Sequence, residues 1–224
     1  MSNPYAFFDV DGTVINYTSM LSFLDYVERQ DGIRPTPRRL LARWQLRAWH
    51  RWASREYLNR CYYRLYAGRS VATIERLGRD WFAERDSRPL QRFNSKVVQR
   101  LQWHQERGHA VVFVSGGFEA CLRPIAAFLG VSHLLCCQMT QQQGLFSGQL
   151  TGQQTIGKGK AAAIRDFLAL RNGTPEDCLF AYGDHHSDLA MLNLAQHPVV
   201  VAGDVALERH ARQRHWPIIS NDIG

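Results

Sequence analysis

The sequence predicts an α/β protein with a Rossmann-like parallel sheet, helices on both faces of that sheet, and an inserted helical cap. From about residue 92 onward, short apolar runs alternate with segments of helical periodicity, and repeated strand–helix units of this spacing form parallel sheets. The segment 17–88 instead carries apolar residues at helical spacing without strand alternation. We therefore expect a core made of residues 1–16 and 89–224 and a cap made of residues 17–88.

Five apolar runs, each of the length of a buried strand, are expected to form the sheet. They are residues 5–8, 110–114, 133–137, 178–182 and 198–202. Apolar positions at helical spacing, often followed by glycine, predict the connecting helices. These are residues 93–106, 119–129, 158–171 and 187–195. Three spaced glycines within residues 139–152 indicate a hairpin.

The composition is that of a folded globular protein. The 224 residues are 45% hydrophobic and 21% charged, which is enough apolar surface to offset the entropy of ordering the chain. No apolar run approaches the roughly 18 residues of a membrane-spanning helix. Residues 1–5 lack a basic stretch followed by a hydrophobic one, so we expect no cleaved signal peptide and a cytoplasmic location.

The five cysteines predict neither a disulfide framework nor a structural zinc site. Their number is odd, they are scattered, and they contain no Cys-x-x-Cys pair. We expect most of them to be buried and reduced. They are Cys61, Cys121, Cys136, Cys137 and Cys178.

The net charge of +7 is concentrated in the predicted cap. Thirteen arginines and only three acidic residues lie between Arg29 and Arg79, whereas the rest of the chain is slightly acidic. Five of the arginines repeat every four residues, which on one helix would form a single ridge with tryptophans interleaved. These residues are Arg39, Arg43, Arg47, Arg51 and Arg55, with Trp44, Trp49 and Trp52.

Three interpretations of this Arg/Trp-rich segment, residues 38–55, stay open. It forms a solvated helix face whose tryptophans pack into the cap, it contacts an anionic lipid surface, or it binds an anion-rich substrate or partner. Nucleic acid is not expected, because no base-reading motif accompanies the charge. No feature of the sequence indicates an oligomeric state.

Polar residues follow three of the predicted strands and open one helix, and these positions meet at one edge of a parallel sheet. They are Asp9 and Asp11, Ser115 to Gly117, Gly183, Asp184 and Asp188, and Lys160 at the helix start. Several carboxylates at one edge need a cation to share their charge. Together with a hydroxyl, backbone N–H groups and a lysine, they fit Mg²⁺ and a phosphate.

These residues resemble the four motifs of the haloacid dehalogenase superfamily of phosphatases. The motifs are Asp9-Val10-Asp11-Gly12-Thr13, Ser115, Lys160, and Gly183-Asp184 followed by Asp188. The resemblance covers the chain outside the helical region, which itself resembles the cap that these enzymes insert between the first and second motifs. The sequences Ser115-Gly116-Gly117-Phe118 and Ala181-Tyr182-Gly183-Asp184 are most similar to the phosphoserine-phosphatase-like branch.

The resemblance implies a phosphomonoester hydrolase that acts on a small phosphorylated metabolite. Asp9 would be the nucleophile that forms an aspartyl-phosphate. Asp11 would protonate the leaving oxygen and then deprotonate the hydrolytic water. A phosphotransferase that uses the same intermediate is an alternative, whereas dehalogenation is disfavoured because dehalogenases of this superfamily lack the second carboxylate.

The resemblance also implies Mg²⁺ as the cofactor. Its ligands would be Asp9, Asp184 and the backbone carbonyl of Asp11. Asp188 would act on the metal indirectly, through water or a neighbouring ligand.

The phosphoryl oxygens would be held by Ser115, the N–H group of Gly116 and Lys160. Lys158 is a rival for the role of Lys160, which is preferred because Gly157-x-x-Lys160 matches the helix-opening lysine of the family.

Two departures from serine-specific relatives bear on the substrate. Those relatives carry an acidic residue just after the nucleophile loop, and the segment Asn16-Tyr17-Thr18-Ser19-Met20 has none. They also carry an arginine shortly before a cap glycine, and here Arg64 is out of register with Gly68. Phosphoserine is therefore not favoured. Phosphoserine phosphatase proper and a phosphatase of anionic lipid phosphates that uses the basic cap stay as alternatives.

Overall fold

The structure, a computed structural model, describes residues 4–30, 37–49, 53–84, 92–174 and 177–221. Its strands in these residues are β1 (Tyr5–Phe8), β2 (Ala110–Phe118), β3 (His133–Gln142), β4 (Leu145–Thr151), β5 (Cys178–Gly183), β6 (His197–Val201) and β7 (Ile218–Ile219). They form one sheet in the order β4-β3-β2-β1-β5-β6-β7. Neighbouring strands are parallel except β3 and β4, which form the predicted hairpin. The predicted α/β class is confirmed.

Helices connect these strands and fill the segment between β1 and β2. Those of the segment are α1 (Ser19–Gln30), α2 (Pro37–Trp49), α3 (Arg55–Arg64) and α4 (Val71–Glu84). Those of the core are α5 (Ser95–Glu106), α6 (Glu119–Phe128), α7 (Lys158–Ala169), α8 (Leu189–Leu192) and α9 (Val205–Gln213). None of the helices in the described residues has both the length and the apolar character needed to cross a membrane.

Apolar side chains pack on both faces of the sheet. Phe8 and Phe113 belong to one buried cluster, together with residues of α5 and α6, whereas Phe7 and Val112 belong to a second cluster with residues of α7, α8 and α9. Because successive strand side chains point to opposite faces, helices cover both faces, as predicted. The five cysteines are buried and unpaired, also as predicted.

Several elements differ from the predicted bounds. β2 is longer than expected, because its pairing with β3 resumes at Phe118 after an irregularity that follows Ser115. β3 is longer because its residues 138–142 pair with β4 in the hairpin. The helix predicted at 187–195 contains only α8, preceded by a single 3-10 turn at His186–Asp188. Helix α9 was not predicted, and neither was strand β7, whose two residues are too few to show periodicity.

The helices α1, α3 and α4 pack against the core. Trp81 of α4 lies with its ring centroid 5.6 Å from that of Phe23 in α1. The ring centroid of Tyr66, just after α3, lies 4.9 Å from that of Phe118 at the end of β2. One hydrophobic cluster therefore continues from these helices into the sheet. The division into core and cap at residues 17 and 88 stays a prediction, and its second boundary falls in residues 85–91, outside the described residues.

The expectation of a single arginine ridge on one helix is wrong. α2 is described over Pro37–Trp49, residues 53 and 54 are not helical, and α3 begins at Arg55. Ser54 starts the new helix, because its hydroxyl accepts a hydrogen bond from the Tyr57 N–H at 3.2 Å. Arg51 and Trp52, which would have continued the ridge, lie outside the described residues.

The α2 surface is exposed and apolar as well as basic. The side chain of Arg43 forms an ion pair with Glu28 of α1 at 2.9 Å. Trp44 is 57% exposed, so the expectation that the tryptophans pack into the cap is wrong for this one. Two neighbouring leucines, Leu40 and Leu41, are likewise exposed.

His104 of α5 is fully buried. Its Nε2 lies 2.9 Å from the hydroxyl of Tyr182, and its Nδ1 lies 2.8 Å from Nδ1 of His109. Burial lowers the pKa of His104 to about 4, and the neighbouring His109 adds to the effect. The folded protein therefore holds this imidazole neutral.

We expect His104 to make the protein less stable in acid. Below a pKa of about 6.5 the unfolded chain binds a proton at this residue that the folded chain does not, so the free energy of unfolding falls as the pH falls towards 4. Between pH 7 and pH 5 the loss from this residue is about 2 kcal/mol. Urea unfolding of wild type and His104→Gln at both pH values should show a shallower pH dependence in the variant.

The exposed His197 provides the control for this experiment. His197→Gln is expected to keep the wild-type pH dependence, because its imidazole contacts water in both states. Equal slopes for His104→Gln and wild type would contradict the assignment.

Candidate active site

The carboxyl end of β1 presents the first two predicted site residues. The Asp9 N–H donates to the carbonyl of Tyr182 in β5 at 2.9 Å, which fixes Asp9 at the centre of the sheet edge. The chain then turns tightly, with the N–H groups of Thr13 and Val14 both donating to the Val10 carbonyl. This turn brings the side chains of Asp9 and Asp11 into one cavity.

Lys160 is buried between two carboxylates. Its Nζ donates to Asp9 Oδ1 at 2.5 Å and to Asp188 Oδ1 at 2.7 Å. Burial disfavours the ammonium ion, but the negative charges of Asp188 and Asp9 outweigh burial and raise the pKa of Lys160. Lys158 is exposed at the start of the same helix, so the geometry favours Lys160 over its rival.

Asp188 also orders the loop that follows β5. Its Oδ2 accepts the backbone N–H of His185 at 3.2 Å. Gly183 lies directly against Asp188, because a Cβ atom at residue 183 would be 2.7 Å from the Asp188 Cβ. The hydrogen bonds of Asp188 are thus with Lys160 and its own loop, and the indirect role expected for it stays a prediction.

Asp11 has a carboxyl group with an environment different from that of Asp9. Burial raises the pKa of Asp11 to about 6, although hydrogen bonds from Ser19 act in the opposite direction. Its Oδ1 has no hydrogen-bond partner among the described residues. A proton on this group near neutral pH is therefore accessible, as a general acid requires.

Asp184 faces the β1 loop from the end of β5. The hydroxyl of Thr13 donates to Asp184 Oδ1 at 2.8 Å. Burial raises the pKa of Asp184, and the bond from Thr13 opposes this. Gly12, at φ +83°, permits the approach: a Cβ there would lie 2.3 Å from Asp184 Oδ2.

Ser115 and the two glycines after it form another part of the cavity wall. Ser115 is buried, and its Oγ accepts the N–H of Gly117 at 3.0 Å. The carbonyl of Gly117 accepts a hydrogen bond from the hydroxyl of Tyr63 in α3 at 2.9 Å. Gly116 packs so tightly that an added Cβ would lie 2.5 Å from Ile156 Cγ1. The chain end of β2 is therefore held from two sides.

The oxygen atoms of three carboxylates converge beside Lys160. Asp9, Asp184 and Asp188 each offer one oxygen, and these oxygens lie within 4.8 Å of one another. Burial raises the pKa of Asp9 well above its ordinary value; Lys160 opposes this, whereas Asp188 and Asp184 add to it. One ammonium ion does not balance three carboxylates. Donors that are all oxygen, with excess negative charge, fit a hard divalent cation such as Mg²⁺.

The structure thus brings all the predicted site residues to one edge of the sheet. Asp184 does not line the cavity that contains Asp9, Asp11, Ser115, Gly116, Lys160 and Asp188, but it lies directly beside it.

The sequence analysis did not identify two residues that position the site carboxylates. It also did not identify most of the residues that form the cavity wall. Thr13 and Ser19 hold Asp184 and Asp11, and neither was assigned a role. The α3 residues that line the cavity follow the helical spacing i, i+3, i+4 and i+7. They are Arg55, Leu58, Asn59 and Tyr62. That spacing signals a shared face but does not reveal what the face contacts.

The loop after β5 is closed by Asp204. The carboxylate of Asp204 caps α9 by accepting the N–H groups of Ala206 and Leu207. It also accepts the N–H of His186 at 2.9 Å and lies 3.0 Å from His186 Nδ1. These bonds lower the pKa of Asp204 against the effect of burial. They fix the shape of the loop that carries Asp188.

Comparison with known proteins identifies the family. The family model of haloacid dehalogenase-like hydrolases matches residues 6–193. The chain belongs to this family, as its four motifs predicted.

Relatives in this family carry phosphatase names. A histidinol-phosphatase of Neisseria meningitidis serogroup C (strain 8013) is 25% identical over 96% of this chain and 97% of that protein. A probable phosphatase of Mycobacterium tuberculosis (strain ATCC 25618 / H37Rv) is 35% identical over 56% of this chain. The match spans only 43% of that relative's length. Phosphoserine phosphatase SerB1 of the same organism is 31% identical over 67% of this chain and 48% of its own length.

Solved structures show the same fold. A protein of unknown function from Bordetella pertussis Tohama I has a TM-score of 0.84 at 22% identity, covering 97% of this chain and 99% of that chain. A substrate-bound phosphoserine phosphatase has a TM-score of 0.62 at 16% identity, covering 98% of this chain and 93% of its own. The expected similarity to the phosphoserine-phosphatase-like branch is thereby confirmed.

The close approach of Gly12 to Asp184 predicts a selective defect in metal binding. In Gly12→Ala the new Cβ collides with the Asp184 carboxylate, which must move away from Asp9. We expect the affinity for Mg²⁺, measured by calorimetric titration, to fall at least about tenfold, as for other losses of ligand positioning.

Gly108 is the matched control, because it also has a positive φ of +74° but no described atom within 4 Å of an added Cβ. Gly108→Ala and Gly12→Ala should both lose about 1–2 kcal/mol of stability from backbone strain. Only Gly12→Ala should lose metal affinity. Equal metal affinities in the two variants would contradict the assigned role of this contact.

Proposed function

We propose that this protein is a Mg²⁺-dependent phosphomonoesterase that forms an aspartyl-phosphate on Asp9. The observation that carries the proposal is the pair of carboxyl groups in one cavity with different surroundings. Asp9 is held by Lys160 at 2.5 Å, whereas Asp11 takes its hydrogen bonds from Ser19 and has a pKa raised by burial to about 6. One is suited to be a nucleophile and the other to be an acid.

In the first step an Asp9 carboxylate oxygen attacks the phosphorus atom of the ester. The bond between phosphorus and the ester oxygen breaks, and Asp11 donates its proton to the departing alkoxide, which leaves as an alcohol. Lys160, the Ser115 hydroxyl and the Gly116 N–H stabilise the phosphoryl oxygens. Asp9 then carries the phosphoryl group as a mixed anhydride.

In the second step the now ionised Asp11 accepts a proton from a water molecule as that water attacks the phosphorus atom. The bond between the Asp9 oxygen and phosphorus breaks, which releases inorganic phosphate and restores both carboxyl groups. Bound Mg²⁺, held by Asp9, Asp184 and the Asp11 carbonyl, would offset the negative charge that gathers on the phosphoryl oxygens.

The substrate we propose is a small phosphorylated metabolite. The similarity to a histidinol-phosphatase along nearly the whole chain and the partial similarity to a phosphoserine phosphatase support phosphate-ester hydrolysis. Transfer of the phosphoryl group to an alcohol is the competing outcome of the same intermediate. The two are separated by measuring how phosphate and phosphorylated alcohol partition as glycerol is added.

Replacement of the nucleophile should abolish the reaction. We expect Asp9→Asn to release neither a burst nor a steady flux of p-nitrophenolate from p-nitrophenyl phosphate, because an amide does not attack phosphorus. The exposed Asp25 on α1 provides a control, and Asp25→Asn should keep the wild-type rate. Turnover by Asp9→Asn near the wild-type rate would refute the mechanism.

Replacement of the acid should divide the reaction into its two steps. p-Nitrophenolate is a good leaving group that needs little protonation, so Asp11→Asn should still phosphorylate Asp9. The second step lacks its base and should slow by about 10² to 10⁴-fold. Rapid mixing should show a burst of one p-nitrophenolate per active site, followed by a slow phase. A linear time course at the wild-type rate would exclude Asp11 from this role.

A further inference from the structure

The cavity that contains the acidic cluster has one polar end and one apolar wall. Its volume is about 320 Å³. Asp9, Ser115 and Lys160 belong to the polar end. A second part of the lining, here called the apolar wall, is contributed by α1, α2, α3 and the segment before α7. Its apolar residues are Met20, Leu21, Leu46, Leu58 and Ile156.

Two polar residues of this wall, Asn59 and Tyr62, have partners within the protein. The Asn59 side-chain amide donates to Gln154 Oε1 at 3.0 Å. The hydroxyl of Tyr62 shares a hydrogen bond of 2.7 Å with that of Tyr66. These contacts tie Asn59 to the segment after β4 and Tyr62 to the residue just after α3, so both polar groups are already engaged within the protein.

Arg55, the cationic residue of this wall, also forms hydrogen bonds within the protein. Arg55 NH1 lies 2.9 Å from His185 Nδ1 and donates to Ser187 Oγ at 2.9 Å. Because His185 and Ser187 belong to the loop after β5, this guanidinium joins α3 to the core at the edge of the cavity. Its bonds to the protein compete with any bond to a substrate anion.

Acidic residues are confined to the polar end. Among the described residues that line the cavity, the acids are Asp9, Asp11 and Asp188, and none comes from the helices α1 to α4. A substrate ammonium group held against the apolar wall would lose its water without gaining a carboxylate partner. Such burial is costly, whereas an alkyl or aryl group gains free energy there.

We propose that the alcohol part of the substrate is an uncharged apolar group that packs against Met20, Leu46 and Leu58. The inference rests on the proposed function, because it assumes that the phosphate occupies the polar end. A water-soluble alkyl or aryl phosphate and a single-chain lipid monophosphate share this chemistry. Leu21 at the cavity and Leu40 and Leu41 of α2 are exposed. They would allow a single-chain lipid monophosphate to enter the cavity from a lipid surface.

Binding of phosphonates tests the proposal without turnover. Butylphosphonate and 3-aminopropylphosphonate differ only by a terminal methyl or ammonium group. Calorimetric titration of the full chain with Mg²⁺ present should give butylphosphonate at least about tenfold tighter binding. From methyl- to butylphosphonate the affinity should rise about fourfold per methylene. Equal or tighter binding of the aminopropyl compound would overturn the proposal.

A charge placed in the wall should reverse this preference. In Leu58→Glu the new carboxylate faces the cavity, so 3-aminopropylphosphonate should bind more tightly than butylphosphonate. The control is Leu170→Glu, at a residue that is 83% exposed beyond the end of α7, and it should keep the wild-type order. An unchanged order in a folded Leu58→Glu protein would contradict the proposal.

A smaller substitution at the same residue tests the proposal if the Leu58→Glu protein does not fold. Leu58→Ala should weaken butylphosphonate binding about tenfold and leave methylphosphonate binding unchanged, since only the longer chain reaches this side chain. Equal losses for both ligands would indicate a general structural effect and would overturn the assignment.

Hydrolysis then identifies the source and separates this inference from the proposed function. The substrates are hexyl phosphate, lysophosphatidate in phosphatidylcholine vesicles, phosphoserine and histidinol phosphate. The proposal is supported if hexyl phosphate or lysophosphatidate has a higher kcat/KM than both phosphoserine and histidinol phosphate. The better of the two apolar esters then shows whether the substrate comes from solution or from a lipid surface. The reverse order overturns the proposal. If p-nitrophenyl phosphate and all four esters resist hydrolysis, the proposed function fails, and the phosphonate affinities still decide the inference.

Discussion

The ion pairs of Lys160 hold the catalytic edge of this protein together. Its ammonium group joins Asp9 at the end of β1 to Asp188 in the loop after β5, and Lys160 itself comes from the first turn of α7. Burial of any one of these charges alone would cost several kcal/mol. Three separate segments must therefore meet at one point. The negative charge that Lys160 does not balance would attract a metal ion and repel a ligand carboxylate that carries no metal ion.

This crowding of side chains determines where glycine is required. Gly12 and Gly183 lie against the carboxyl groups of Asp184 and Asp188, at distances that no Cβ could share. Gly159, one residue before Lys160, lies so close to the backbone that follows β4 that a side chain there would overlap it. The glycines of the motifs thus serve less to make the chain flexible than to let charged groups meet.

The sequence was sufficient to predict the site residues that lie at the ends of strands. Asp9, Ser115 and Asp184 each follow an apolar run, and parallel strands necessarily bring such positions together. The cavity wall was not predictable in this way. Helical spacing shows that Leu58 and its neighbours share one face, but the partner of that face depends on how α2 and α3 are joined. Burial of His104 was missed for the same reason, because its partner Tyr182 is distant in sequence.

The apolar wall of the cavity and the end that contains Ser115 are connected through α3. One side of this helix supplies Leu58 to the cavity, while Tyr63 on another side donates its hydroxyl to the Gly117 carbonyl, two residues after Ser115. Tyr63 also packs edge-to-face on Phe118 at 5.5 Å between ring centroids. A substrate group that displaces α3 would therefore act on the end of β2, which carries Ser115. Under the proposed function, selection of the alcohol part and alignment of the phosphoryl group would therefore be properties of one packed unit, which would link substrate fit to the rate of phosphoryl transfer.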